Sequence, residues 1–87
     1  MRKLDYTANV LKFLGGLQAK QFRQVVSKIL SLPKEPEPHD SEKLQGYPYR
    51  RADIGEYRIV YRYDAECVYV ALVGKRNDDD IYKQLKR

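Results

Sequence analysis

Gly55-Glu56-Tyr57-Arg58-Ile59-Val60-Tyr61-Arg62-Tyr63 is the stretch on which the fold turns. From Tyr57 onward apolar and charged side chains alternate at Tyr57-Arg58-Ile59 and again at Tyr61-Arg62-Tyr63, a period of two that belongs to a strand. Tyr57, Ile59, Tyr61 and Tyr63 share one face, and Arg58, Val60 and Arg62 share the other. The tyrosine and isoleucine face needs an apolar cover, whereas the arginine face is left to solvent or to a ligand. Turn residues bracket the stretch. Ile54-Gly55 predicts a turn out of a strand over about 47–53, and Asp64-Ala65-Glu66 predicts a turn into one over 67–73. Strands joined by such short turns are antiparallel neighbours, so this region predicts a β-meander.

Upstream the period becomes helical. Val10, Phe13, Leu14 and Leu17 recur at i, i+3, i+4 and i+7 behind Thr7, a residue that caps helices well. Gly15-Gly16 interrupts them. Phe22, Val25, Val26, Ile29 and Leu30 then form one stripe over about 18–32, which Pro33 ends. Two helices joined by a glycine break predict an αα-hairpin, and its shared apolar face is the cover the meander requires. Leu4 and Tyr6 alternate with Lys3 and Asp5, which predicts a short strand at the start. Residues 33–43 hold three prolines and no large apolar side chain, the pattern of a solvated connector. Asp78-Asp79-Asp80 ahead of Ile81-Tyr82-Lys83 place acid before base, as a short C-terminal helix prefers. The expectation is an α+β fold in one domain, residues 1–87: an N-terminal strand and helical hairpin packed on an antiparallel meander, then a short helix.

Composition narrows the function classes. A chain of 87 residues that is 43% hydrophobic and 33% charged is an ordinary globular chain of one domain. No apolar run approaches the ~18 residues of a membrane span, and none follows Arg2-Lys3 to make a signal peptide. One cysteine, Cys67, cannot form an internal disulfide, which predicts a reducing, cytoplasmic setting and no membrane. With one cysteine and one histidine, zinc held by soft ligands is excluded, and no cofactor is expected. His39 reads as an exposed loop residue, Cys67 as a small core residue, and the Asp78–Asp80 run as helix caps in preference to a magnesium site. Tyr57, Tyr61 and Tyr63 read as core in preference to a base-stacking platform.

The charge is +5, and its kind matters more than its size. Arg50, Arg51, Arg58, Arg62 and Arg76 all lie in the second half, with seven of the eight tyrosines. Guanidinium forks bind phosphate bidentately and tyrosines stack on bases, a mixture suited to RNA.

Lys43-Leu44-Gln45-Gly46, Gly55-Glu56-Tyr57-Arg58-Ile59-Val60-Tyr61, Val73-Gly74-Lys75-Arg76 and Asp80-Ile81-Tyr82 occur in an order and spacing that resemble the RelE/ParE toxin superfamily. The likeness covers essentially the whole chain. Gly-Lys-Arg followed six residues after its arginine by tyrosine leans toward the RelE ribonuclease branch. The resemblance implies a toxin of a type II toxin–antitoxin module, which enters the ribosomal A site, cuts messenger RNA and inhibits translation, and which an antitoxin restrains. It implies a metal-free basic site: Arg58 on a strand, Arg76 in the Gly-Lys-Arg element, Tyr82 near the C-terminus, and a second-strand basic pair. That pair falls at Arg51 and Asp53, so this chain places an acid where the family pattern has a base. The alternative within the superfamily is a non-enzymatic inhibitor of DNA gyrase, of the ParE kind.

Cutting RNA without metal means attack of the 2′-hydroxyl on its own 3′-phosphate. The site must remove a proton, neutralise the phosphorane and protonate the 5′-oxygen. Arg51, Arg58, Arg76 and Tyr82 are the expected catalytic set, with Arg50, Arg62 and Lys75 as substrate-binding residues. The general base stays open among Arg51, Asp53 and Lys75. Arginine is almost never deprotonated, a carboxylate repels the phosphate it must approach, and Lys75 is the third candidate as the lysine beside Arg76. An antitoxin is expected to cover the basic face or displace the terminal helix around Tyr82.

Overall fold

The central strand spans Tyr57–Tyr63, and four other strands flank it in one sheet. The computed structural model describes residues 1–78, 82, 83 and 85. In chain order the elements are β1 (Lys3–Tyr6), α1 (Ala8–Gly15), α2 (Ala19–Ser31), β2 (Ser41–Lys43), β3 (Arg50–Ile54), β4 (Tyr57–Tyr63) and β5 (Cys67–Lys75). The spatial order is β1-β5-β4-β3-β2. Strands β2 to β5 pair antiparallel in succession, and β1 runs parallel to β5. The expected meander is therefore the middle of a mixed α+β sheet.

The helical hairpin covers the face that the alternation assigns to it. Val10 and Leu14 of α1, Val25 and Ile29 of α2, and Leu32 meet Tyr57, Ile59 and Tyr61 of β4 and Val68, Val70 and Val73 of β5. Val25, Leu32, Ile59 and Tyr61 are fully buried. Each such side chain contributes about 1.5–3 kcal/mol by leaving water. This layer carries most of the fold's stability and places the arginine face on the other side of the sheet.

Two turns hold β4 in register. Gly55 at φ +57° opens the two-residue turn between Ile54 and Tyr57, a backbone region that favours glycine at that position. A side chain there would also press on Gln24 of α2, at 3.0 Å. After β4, the Asp64 carboxylate accepts from the backbone N–H of Glu66 and of Cys67, at 2.8 and 2.9 Å. Those two bonds close the turn and hold the Asp64 carboxyl below its ordinary pKa.

A bulge in β5 lies beyond what alternation can reveal. Val60 pairs with Leu72 and Tyr61 with Val70, so Ala71 has no partner on β4. The Thr7 hydroxyl donates to the Ala71 carbonyl at 3.1 Å, and its oxygen accepts from Val10 N–H at 3.3 Å as the cap of α1. One hydroxyl thus ties the start of the helical layer to the bulge. The extra residue turns Val68, Val70 and Val73 toward the helices, and Ala71 and Leu72 away from them.

The connector differs from its expected form. Residues 33–43 are neither wholly solvated nor wholly irregular: Pro33, Pro38 and Ser41 are buried, and Ser41–Lys43 form the edge strand β2. Ser41-Glu42-Lys43 has no apolar alternation to announce it, because backbone pairing with β3 specifies it instead. Tyr61, wholly enclosed, satisfies its hydroxyl by donating to the Pro36 carbonyl at 2.6 Å, and the Tyr63 hydroxyl donates to Glu37. Lys28 Nζ reaches both Asp40 oxygens at 2.8 and 2.7 Å. The connector is strapped to the sheet. Of the terminal helix expected near 81–87, Tyr82 and Lys83 form a 3-10 turn, with Leu85 N–H donating to the Tyr82 carbonyl at 3.1 Å. The rest of it lies outside the described residues.

Candidate functional site

The face away from the helices is built by the β3–β4 ladder. Arg51 stands opposite Val60 and Asp53 opposite Arg58, so strand alternation puts Arg51, Asp53, Arg58 and Arg62 on one side. Arg58 Nε donates to Asp53 Oδ1 at 2.8 Å and Arg58 Nη2 to Oδ2 at 3.3 Å. Arg51 Nη1 donates to the same Oδ2 at 3.0 Å, and Arg51 Nη2 to Glu42 Oε2 at 2.7 Å. The remaining nitrogen of Arg58, Nη1, donates to the Tyr82 hydroxyl at 2.6 Å. Tyr82 in turn lies 6.4 Å from Tyr47, ring centre to ring centre, with a tilt of 31°.

Arg58 therefore has an occupied guanidinium. Its hydrogen bond to Asp53 raises its pKa above the ordinary arginine value, against partial burial, with Tyr82 adding to the rise. The Asp53 carboxyl is held below the usual carboxylate range. The Arg58 hydrogen bond is the main cause, opposed by burial and reinforced by the charges of Arg58, Arg51 and Arg76. Both groups are charged at neutral pH, and both Asp53 oxygens are engaged.

Arg76 enters from the end of β5. Its backbone N–H donates to the Glu56 carbonyl at 2.9 Å, which fixes it beside the β3–β4 turn, and its exposed side chain lies close enough to act on Asp53. Among the described residues Arg76 makes no ion pair. Arg62 stands opposite Tyr69, with its guanidinium carbon 5.0 Å from that ring and 5.9 Å from the Tyr49 ring. Between these groups Tyr49, Val60, Ala71 and Leu72 form a small buried floor, flanked by Leu44, Tyr47, Tyr69, Tyr82 and Leu85.

Arg51, Arg58, Arg62, Arg76 and Tyr82 thus share one face of the sheet. Arg50 and Lys75 do not join them. Arg50 stands opposite Tyr61 on the helix side, where its Nη2 donates to Ser41 Oγ at 3.0 Å and its Nη1 lies 3.9 Å from Glu37. Lys75 stands opposite Tyr57, also on the helix side by register, and is exposed. Two contributors escaped the sequence reading. Glu42 lies on a strand without a sequence signature, and Tyr47 precedes β3 where a strand residue was expected. The pairing of Asp53 with Arg58 had a usable signal: a two-residue turn at Gly55-Glu56 puts those positions opposite each other.

A second surface lies on the helical side. Tyr6, Leu11, Phe22 and Leu30 are exposed and line an apolar groove with Leu4 and Val10, next to the open edge of β1. Among the described residues no three His, Cys, Asp or Glu side chains are grouped to hold a metal ion, and no helix is long and apolar enough to cross a membrane.

Comparison with known proteins places this arrangement. The fold matches a free-state mutant of the Escherichia coli toxin RelE, at TM-score 0.78 and 25% identity over 95% of this chain and 92% of that one. It matches the archaeal RelE–RelB complex from Pyrococcus horikoshii at TM-score 0.75 and 24% identity, covering 87% and 96%. It also matches YafQ from Escherichia coli at TM-score 0.70 and 16% identity, covering 87% and 94%. No curated protein matches the sequence. A family model described as ParE toxin of type II toxin-antitoxin system, parDE, matches residues 3–80. With that match spanning nearly the whole chain and the RelE-like fold beneath it, the chain belongs to the ParE toxin family of type II toxin–antitoxin systems, within the RelE/ParE superfamily.

Proposed function

We propose that this toxin is a ribosome-dependent endoribonuclease that cuts messenger RNA in the A site. The observation that carries the reading is the convergence of Arg58, Tyr82 and Arg76, with Arg51 beside them, on one face. In-line attack of the 2′-hydroxyl builds negative charge on the phosphorane, and permanently charged forks are the donors suited to it. Arg76, which has no carboxylate partner among the described residues, meets the phosphate first and stands by the leaving 5′-oxygen. Arg58 braces the phosphorane, and Tyr82 orients a nucleotide with its ring and Arg58 with its hydroxyl. Arg51 adds charge. Arg62, on its two tyrosine rings, contacts a neighbouring phosphate or base. The chain needs no cofactor on this reading, and it works in the cytoplasm, where ribosome and message are found.

An antitoxin is the further partner. The archaeal neighbour is a RelE–RelB complex, which supports a cognate protein of that kind here. The apolar groove of Leu11, Phe22 and Leu30 offers it a seat for an amphipathic helix, and the arginine face offers one for acidic residues.

Two observations favour the gyrase-inhibitor reading: Asp53 fills the Arg58 fork that a phosphate would use, and the matching family model is the ParE one. The two readings separate in one set of measurements. Induction in bacteria with mapping of messenger 5′ ends yields codon-phased cuts for the nuclease. Purified protein with gyrase yields gyrase–DNA cleavage complexes for the inhibitor, and no message cuts.

A further inference from the structure

We infer that Asp53 is a built-in competitor for the substrate phosphate, a residue that sets the anion affinity of Arg58. The inference rests on the reading of this face as the one that meets RNA. Asp53 offers two oxygens to Arg58 Nε and Nη2, the fork geometry in which a guanidinium takes a phosphate. Its Oδ2 also takes Arg51 Nη1, so one carboxylate spans the two arginines nearest the middle of the face.

The consequence is a division of labour among the guanidinium groups. Arg51 is shared between Asp53 and Glu42, and Arg58 between Asp53 and Tyr82. Arg62 lies over tyrosine rings, and Arg76 keeps an exposed side chain. A phosphate arriving at this face finds Arg76 available and Arg58 occupied. It gains Arg58 only as Asp53 gives up its bonds, so casual polyanions are held weakly. A message whose backbone is positioned by other contacts can force the exchange.

Asp53 is thus a specificity-determining residue that acts through Arg58. Replacing it by asparagine removes the negative charge and preserves the shape. With Asp53 no longer holding the fork, Arg58 gives the phosphate one further charge-assisted contact, an effect of roughly tenfold in affinity.

The test is binding of a labelled single-stranded RNA with 2′-deoxy substitutions that prevent cleavage, followed by anisotropy at fixed salt. Asp53→Asn should bind about tenfold tighter than wild type. In an Arg58→Ala background the same substitution should gain less than threefold, because the competition runs through Arg58. An equal gain in both backgrounds reduces the effect to bulk charge and overturns the inference. Weaker binding by Asp53→Asn makes the carboxylate an orienting group and overturns it too. A second measurement needs no variant: in wild type, the Asp53 carboxylate carbon resonance should move as RNA is added, and a stationary signal at saturation overturns the inference. Cleavage of ribosome-bound message is scored separately. Its absence in wild type sinks the nuclease reading, whereas the binding cycle alone decides the role of Asp53.

Discussion

Arg58 faces Asp53 directly across the β3–β4 ladder, and its guanidinium bridges from both carboxylate oxygens on one side to the Tyr82 hydroxyl on the other. The short turn at Gly55-Glu56 makes this pair inevitable once β3 and β4 form. The pair also joins the ladder to Tyr82 near the end of the chain, so a cross-strand contact in the middle of the sheet organises the candidate site as well.

Arg58 and Arg76 should respond differently to truncation. Arg76→Ala removes an exposed side chain and should leave the melting curve within about 0.5 kcal/mol of wild type. Arg58→Ala deprives the partly buried Asp53 of one of its two cationic partners and should cost about 1–2 kcal/mol. In single-turnover cleavage of ribosome-bound message, each should lose about 10²–10³ in rate. The double variant should lose less than the product, since both forks brace one phosphorane. Lysine at Arg58 should restore only part of the loss, because a point charge replaces a fork. Near wild-type rates in both single variants would place the active site elsewhere.

Acid should weaken the fold through Asp53. Its carboxyl is depressed in the folded chain, so its stabilising contribution is whole above the unfolded carboxylate pKa of about 3.9 and is lost as pH falls through the lower folded value. Thermal denaturation from pH 7 to pH 2 should show a stability that is steady down to about pH 4 and declines below it. Asp53→Asn should decline less steeply in that window. Asp64, exposed and also depressed, keeps part of the slope in the variant. Identical acid limbs for the two proteins would contradict the pairing with Arg58.

The sequence disclosed the layers and missed the edges, for a physical reason. Tyr57, Ile59 and Tyr61 alternate because one face is buried, and Val25 and Ile29 repeat at helical spacing because one stripe is buried. Burial writes itself into residue type. Ser41-Glu42-Lys43 is an edge strand held by backbone bonds, and the parallel docking of β1 on β5 is a choice of neighbour, so neither leaves a pattern of side chains. The bulge at Ala71 is likewise a matter of register. Within the candidate site, the family resemblance named Arg51, Arg58, Arg76 and Tyr82 together, and the sheet puts them on one face. Alternation alone sets Arg50 on the face opposite Arg51, whereas the place of Lys75 on the helix side needed the register of β5, which the bulge shifts.

Tyr61 provides a check on the strapped connector. Its ring is fully buried, and its hydroxyl donates to the Pro36 carbonyl at 2.6 Å. Tyr61→Phe keeps the ring and removes the donor. The variant should lose about 1–2 kcal/mol in urea denaturation without a change in m-value, while Tyr6→Phe, at an exposed site, should lose nothing measurable. Hydrogen exchange should quicken at residues 36–41 in the Tyr61 variant alone. An unchanged midpoint would mean that water replaces Tyr61 at the Pro36 carbonyl without cost.

The apolar groove and the arginine face should be separable by mutation. Leu11 and Leu30 are 55% and 60% exposed, so serine at either removes little buried area and should leave stability within about 0.5 kcal/mol of wild type. Val10 and Ile29, which share the groove wall, are 2% and 5% exposed, and truncating them should cost about 2–5 kcal/mol of stability, so they cannot serve as probes. If an antitoxin helix seats in the groove, each serine should cost about 1–2 kcal/mol of complex, or roughly tenfold in Kd. Cleavage by the free toxin should stay at the wild-type rate, because neither leucine lies on the arginine face. Cells carrying the paired module would then become harder to rescue by antitoxin at equal toxin activity. Competition between the cognate antitoxin and wild-type or double-serine toxin, read by calorimetry, decides it. Equal affinities would move the antitoxin from the groove to the arginine face, where its binding would weaken with added salt.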